Sequence, residues 1–104
     1  MRGFDNTSET VRTTAVTTTL TNNDYDLLCL GITGNITVNL PAVASVQPGR
    51  FYRVYKDAAA FTVTIDGFGS ETIDGATTLV LAASAKHTAG LVTDGTAWYS
   101  VSLS

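Results

Sequence analysis

The chain contains short segments in which apolar and polar residues alternate. Ile36–Leu40 places three apolar side chains on one face, and Phe61–Ile65 repeats the pattern. A period of two is that of a half-buried β-strand. Between turn signals, six further segments of similar composition predict strands at Thr13–Leu20, Tyr25–Leu30, Arg50–Tyr55, Thr77–Ala82, His87–Val92 and Trp98–Leu103. Their spacing of about 8–12 residues is typical of a sandwich or a barrel.

The turn signals agree with a strand-rich chain. Asp66-Gly67, Asp74-Gly75 and Asp94-Gly95 each lie between apolar stretches, and Asp-Gly favours the positive φ angles of a tight hairpin. Only Ala42–Val46 and Leu81–Ala85 have a composition that suits a helical turn, and both are too short for a stable helix. The sequence therefore predicts an all-β fold, a small antiparallel β-sandwich or barrel of about eight strands.

Length and terminal pattern predict the domain organisation. The chain has 104 residues, which fits one domain. Residues 1–12 are polar and do not alternate, so they predict a flexible N-terminal arm before a β-sandwich domain over residues 13–104. Such an arm can become ordered on a partner surface, and its candidate contact residues are Arg2, Phe4, Asp5 and Arg12.

Charged residues are scarce, and their balance is slightly acidic. They make up 14% of the chain, against roughly 25% in an ordinary soluble domain, whereas hydrophobic residues make up 44%. This composition favours self-association or docking onto a larger assembly. The net charge of −3 argues against a general nucleic-acid binder, and no apolar run approaches the roughly 20 residues that cross a bilayer. We therefore expect neither nucleic-acid binding nor membrane insertion.

Residue types suited to catalysis or metal binding are few. His87 is the only histidine and Cys29 the only cysteine, and neither lies in a nucleophile motif, so we predict no catalytic residues and no enzyme. Asp66, Glu71 and Asp74 lie close in sequence, and the alternatives for them are a glycosidase acid pair or a calcium site. Two of them belong to Asp-Gly turns and the spacing matches no calcium loop, so we predict no metal site and no cofactor.

Aromatic residues and arginines supply the candidate contact surface. The candidates for contact with a glycan or a partner protein are Arg50, Arg53, Tyr55, Trp98 and Tyr99. Successive side chains of a strand point to opposite faces, so Trp98 and Tyr99 face opposite ways. One of the two is therefore expected in the core.

A fixed order of motifs extends from Thr19 to Val101. It consists of a strand ending in proline, a Gly-Arg-Phe-Tyr-Arg strand, two Ile-Asp-Gly turns, an apolar strand and a final Thr-Asp-Gly-Thr-Ala-Trp-Tyr segment. These motifs lie here at Ile36–Ala42, Gly49–Lys56, Thr62–Gly67, Glu71–Gly75, Thr78–Leu81 and Thr93–Val101. The order resembles a module of phage virion fibre and spike proteins. The resemblance implies adhesion or particle decoration, a homotrimer, and no fixed catalytic site.

Two functions of different classes follow from this resemblance. The first is a phage virion structural protein, a capsid decoration (head fibre or cement) protein. It would be made in the host cytoplasm and dock on the major capsid protein at the capsid exterior. The short arm and the end of the chain close to the last strand favour this function over a long tail fibre, although an excised domain has the same pattern. The alternative is a tail-fibre or spike module that binds host surface polysaccharide.

Overall fold

Residues 11–103, which a computed structural model describes, form two β-sheets and a short 3-10 helix. The elements in chain order are β1 (Val11–Thr14), β2 (Thr18–Thr19), β3 (Asp26–Cys29), β4 (Ile36–Asn39), the 3-10 helix (Val43–Ser45), β5 (Phe51–Lys56), β6 (Val63–Asp66), β7 (Thr78–Leu81), β8 (His87–Thr93) and β9 (Trp98–Leu103). The prediction of an all-β fold is confirmed. Across this part of the chain, no helix has the length and apolar character that a bilayer crossing requires.

Every predicted strand segment overlaps a strand of the structure. The segment Thr13–Leu20 bends at Ala15 and Val16 and supplies two strands, β1 and β2. Because β1 begins at Val11, Arg12 belongs to a sheet and not to the predicted arm. The other arm candidates lie outside the described residues; they are Arg2, Phe4 and Asp5.

The prediction of an antiparallel fold is wrong, because both sheets are mixed. The first sheet has the strand order β1-β3-β5-β8-β9, and the second has the order β2-β4-β6-β7. In each sheet the first three strands are parallel to one another. In the first sheet β8 is antiparallel to β5 and β9 is antiparallel to β8, and in the second sheet β7 is antiparallel to β6. The sheets do not close into a barrel.

Over its first six strands the chain alternates between the two sheets. Asp26 pairs with Arg53 in the first sheet and Ile36 pairs with Val63 in the second, an offset of 27 residues in each (53 − 26 and 63 − 36). The pair of strands β3 and β4 is therefore repeated by β5 and β6, with β5 parallel to β3 and β6 parallel to β4. Parallel neighbours need such a crossover, and here the other sheet supplies it.

Side chains from both sheets contribute to one hydrophobic core. Its largest fully buried members are Trp98 and Tyr52, whose ring centroids lie 5.7 Å apart. In β4 and β6 every second side chain is buried, which confirms the alternation seen in the sequence. The positions between them face outward, so each sheet presents one outer face.

Two of the three Asp-Gly turns are hairpin turns. Asp74-Gly75 has φ angles of 54° and 87°, and Ile73 and Ala76 exchange backbone hydrogen bonds across it. Asp94-Gly95 lies in the connection of the β8–β9 hairpin. The hairpin predicted at Asp66-Gly67 is wrong, because a long connection separates β6 from its antiparallel partner β7.

Candidate functional site

The outer face of the first sheet brings together three of the five predicted contact residues. Strand β5 buries every second side chain, and Phe51, Arg53 and Tyr55 occupy the positions between. Phe51 pairs with Val92, and Val92 pairs with Tyr99. Residues opposite each other on neighbouring strands share a face, so Arg53, Tyr55 and Tyr99 lie on one surface. We call this surface the aromatic face, and it comprises Tyr25, Asp26, Leu28, Phe51, Arg53, Tyr55, Val92, Tyr99 and Val101.

The aromatic face combines exposed apolar area with an ion pair between two of its own side chains. Tyr99 and Val101 are 42% and 59% exposed. Arg53 Nε donates to Asp26 Oδ1 at 2.5 Å, and its Nη2 donates to Asp26 Oδ2 at 3.1 Å. This fork geometry directs the guanidinium at its cross-strand neighbour. The face therefore offers a partner mostly apolar and aromatic contact with little net charge.

Trp98 and Arg50 do not belong to the aromatic face. Trp98 is fully buried, and its neighbour Tyr99 is the exposed member of the pair. The guanidinium of Arg50 lies 4.0 Å from the ring centroid of Tyr52 and donates to the backbone carbonyls of Asn22 and Asp24. Arg50 therefore fixes the connection between β2 and β3.

Arg12 holds the same connection from the other side. Its Nε donates to Asp24 Oδ1 at 2.9 Å, and its Nη1 donates to Thr18 Oγ1 at 3.0 Å. Burial acts to raise the pKa of Asp24, but hydrogen bonds from Arg12 and from the backbone N–H of Thr21 outweigh it, and the net pKa is lowered. Arg12, predicted as a partner contact, is thus committed to the fold.

The three acids grouped by the sequence do not share a common ligand site in the described structure. Glu71 Oε1 accepts from the backbone N–H of Val43 at 3.1 Å. The carboxylate of Asp74 accepts from the backbone N–H and the hydroxyl of Ser100. Asp66 lines a pocket at the end of β6. Between residues 11 and 103, no group of three or more His, Cys, Asp or Glu side chains is arranged to hold a metal ion.

Two buried groups that could act as nucleophiles, a thiol and an amine, are held in the interior. Cys29 is fully buried, and burial raises the pKa of its thiol to about 11. Lys56 is also fully buried, and its Nζ donates to three backbone carbonyls. His87 lies at the start of β8, in register with Lys56.

A pocket that the sequence did not predict opens where the parallel strands β2, β4 and β6 end. Its volume is about 520 Å³. Thr19, Asn39 and Asp66 lie side by side in register on these strands and form a polar row in the pocket. Pro41 and Phe68, from the connections after β4 and β6, line it further. The similar segments Ile36–Asn39 and Val63–Asp66, which pair with each other, are the sequence signal that could have indicated this row.

The chain matches no protein-family model and no curated protein sequence. The structure offers two candidate surfaces, the aromatic face on the first sheet and the pocket on the second. The first suits an extended apolar contact, since exposed apolar patches mark interaction surfaces. The second combines a concave shape with convergent polar groups, which is the form of a small-ligand site.

Proposed function

We propose that this protein is a non-catalytic structural protein of a phage particle, a capsid decoration protein that docks on the major capsid protein at the capsid exterior. The aromatic face carries this proposal, because it offers a broad apolar surface in which Arg53 and Asp26 pair with each other. The order of sequence motifs supports it independently. In this proposal the two sheets pack face to face as a β-sandwich, because side chains from both sheets contribute to one core.

In the assembled state, copies of the chain cover the aromatic face and form a homotrimer. Tyr99 and Val101 lie on β9, the edge strand of the first sheet, where a neighbouring copy can reach them without displacing another strand. Interface cores are enriched in aromatic residues and depleted in unpaired charge, as this face is. The low charge content of the whole chain is the second argument for self-association.

The non-catalytic part of the proposal rests on how the reactive groups are used. Cys29 has a raised thiol pKa in an apolar site, which is the opposite of an activated nucleophile. The ammonium group of Lys56 is occupied by three carbonyls, and the carboxylate of Asp24 is occupied by Arg12 and Thr21. These groups stabilise the fold and are not exposed to a substrate.

Attachment to the capsid is assigned to the N-terminal segment that precedes β1. Its candidate contacts are Arg2, Phe4 and Asp5. A trimer presents three such segments to a symmetric capsomer, so that three weak contacts add avidity without a new kind of contact.

The trimer is tested by light scattering coupled to gel filtration. Wild-type protein at micromolar concentration should have the mass of three chains, and Tyr99→Asp should shift it towards one chain because it buries an unpaired charge in the interface. Val80→Asp is the matched control, since Val80 is 54% exposed on β7, the edge strand of the other sheet. A monomeric wild type, or an equal effect of both variants, would reject the trimer through this face.

Capsid attachment is tested by co-sedimentation of the protein with purified capsids. Deletion of residues 1–10 removes the segment before Val11 and keeps β1 intact, including the Arg12–Asp24 pair. Binding should fall sharply in this truncated protein, while its unfolding midpoint stays close to that of the full chain. Undiminished binding would exclude the segment as the attachment point, and absence of binding by the full chain would exclude decoration.

A tail-fibre or spike module that binds host surface polysaccharide is the second candidate, and the clustering of Arg53, Tyr55 and Tyr99 on one surface favours it. The two candidates make opposite use of this surface, because a glycan cannot reach a face covered by other copies. A glycan array separates them. Signals that disappear in Tyr55→Ala support the polysaccharide module, whereas a trimer without signals at this face supports decoration.

A further inference from the structure

We propose that the pocket at the ends of β2, β4 and β6 binds a neutral saccharide. This site lies on the second sheet and is separate from the aromatic face on the first. The proposal therefore does not depend on a trimer formed through the aromatic face. Its volume of about 520 Å³ falls within the roughly 300–1,000 Å³ of small-molecule sites.

The polar row has the donors and acceptors that sugar hydroxyl groups require. Thr19, Asn39 and Asp66 are neighbours on three adjacent strands, so their side chains repeat at the strand spacing of roughly 4.8 Å. Among the side-chain hydrogen bonds of residues 11–103, none involves the side chain of Asn39 or Asp66. A carboxylate accepts two hydroxyl donors, and an amide both donates and accepts, which together match neighbouring hydroxyls on a ring.

Phe68 supplies the apolar contact of the site. Its side chain is 58% exposed although it lines the pocket. An aromatic ring held at the surface loses its contact with water when a ligand packs on it, and the apolar face of a sugar ring is flat enough to do so. The ring of Phe68 is therefore not buried in the core and can contact a ligand in the pocket.

The two connections that line the pocket are tied to each other before any ligand arrives. Glu71 Oε1 accepts from the backbone N–H of Val43, which joins the segment after β6 to the 3-10 helix after β4. The backbone N–H of Glu71 also donates to the carbonyl of Phe68 at 2.9 Å. A preformed site loses little conformational freedom on binding, which favours measurable affinity for a small ligand.

The charge of the pocket selects the ligand class. Asp66 is the single charged residue among those lining it, so acidic sugars and phosphates meet repulsion and no counter-charge. One carboxylate is too few for a divalent cation, which takes six or more oxygens from its surroundings. A purely apolar ligand would bury Asp66 and Asn39 without partners. A neutral, hydroxyl-rich ligand satisfies all three constraints.

The test is an NMR titration of ¹⁵N-labelled full-length protein with methyl glycosides of glucose, galactose, mannose, rhamnose and N-acetylglucosamine, each raised to tens of millimolar. At least one should shift the Asn39 side-chain amide and the backbone amides of residues 67–69. Phe68→Ala and Asn39→Ala should each weaken that binding by about tenfold. Val80→Ala is the control, since Val80 is exposed on the same sheet outside the pocket lining.

Three outcomes would overturn the proposal. They are the absence of shifts with all five glycosides, shifts confined to the aromatic face, and tighter binding of methyl glucuronide than of the neutral glycosides. Thermal unfolding of Phe68→Ala near the wild-type temperature shows that its loss of binding is not a loss of fold. A failed capsid or trimer experiment leaves this result unaffected, because neither involves the pocket.

Discussion

Lys56→Met replaces a buried ammonium group by an apolar side chain of similar length. Lys56 Nζ donates to the backbone carbonyls of Asp57 at 2.8 Å, Ala59 at 3.0 Å and Ala85 at 3.0 Å. All three donors of the ammonium group are thereby used. The carbonyls belong to the β5–β6 and β7–β8 connections, so Lys56 fixes two loops from inside the fold.

Two opposing terms set the size of the effect. Hydrogen bonds from a charged donor contribute about 1.5–3 kcal/mol each, so three would give about 5–9 kcal/mol if they were additive. Methionine removes the cost of burying the ammonium group, which is several kcal/mol, and the carbonyl of exposed Ala85 can bind water instead. We expect the free energy of unfolding to fall by about 3 kcal/mol.

Urea unfolding followed by the fluorescence of Trp98 measures this change, since Trp98 is the only tryptophan and is fully buried. At a slope of about 1–3 kcal/mol per molar urea, the midpoint should fall by roughly 1–3 M. Lys86→Met is the matched control, because Lys86 is exposed, and it should change stability by less than about 0.5 kcal/mol. Equal midpoints for the two variants would refute the structural role of Lys56.

Three further changes test other parts of the fold. The pKa of Asp24 lies below its usual 3.8 in the folded state, so its stabilisation is complete above that value and lost as the pH falls through the folded pKa. Asp24→Asn should therefore flatten the acid side of the plot of urea midpoint against pH, and an unchanged slope would contradict this. Cys29, with a pKa of about 11, should react with iodoacetamide at neutral pH only in denaturant, as mass spectrometry would show; labelling of native protein would refute its burial. Gly67→Ala places a Cβ against the carbonyl oxygen of Glu71 and should destabilise by about 1–3 kcal/mol, whereas Gly34→Ala, which meets nothing, should be near neutral in the same urea assay.

The sequence determined where the strands lie. The alternation in Ile36–Leu40 and Phe61–Ile65 fixes which side chains can share a face, because the two-residue period is a local property of the backbone. Asp74-Gly75 likewise specifies its turn locally, through the positive φ angles that these residues adopt. The pattern also placed Trp98 and Tyr99 on opposite faces, although it did not say which one is buried.

Only the tertiary structure decided how the strands pair. Alternation is the same for a strand of either direction, so it could not distinguish the parallel stacking of β1, β3 and β5 from an antiparallel meander. The pairing of β3 with β5, and of β4 with β6, joins residues 27 positions apart, with a strand of the other sheet between them in the chain. This pairing places Asp66 in a row with Thr19 and Asn39 and not in the predicted hairpin turn. Both candidate sites depend on pairing between segments far apart in the chain. The parallel register of β2, β4 and β6 forms the polar row, and the antiparallel pairing of β5, β8 and β9 brings Arg53, Tyr55 and Tyr99 together.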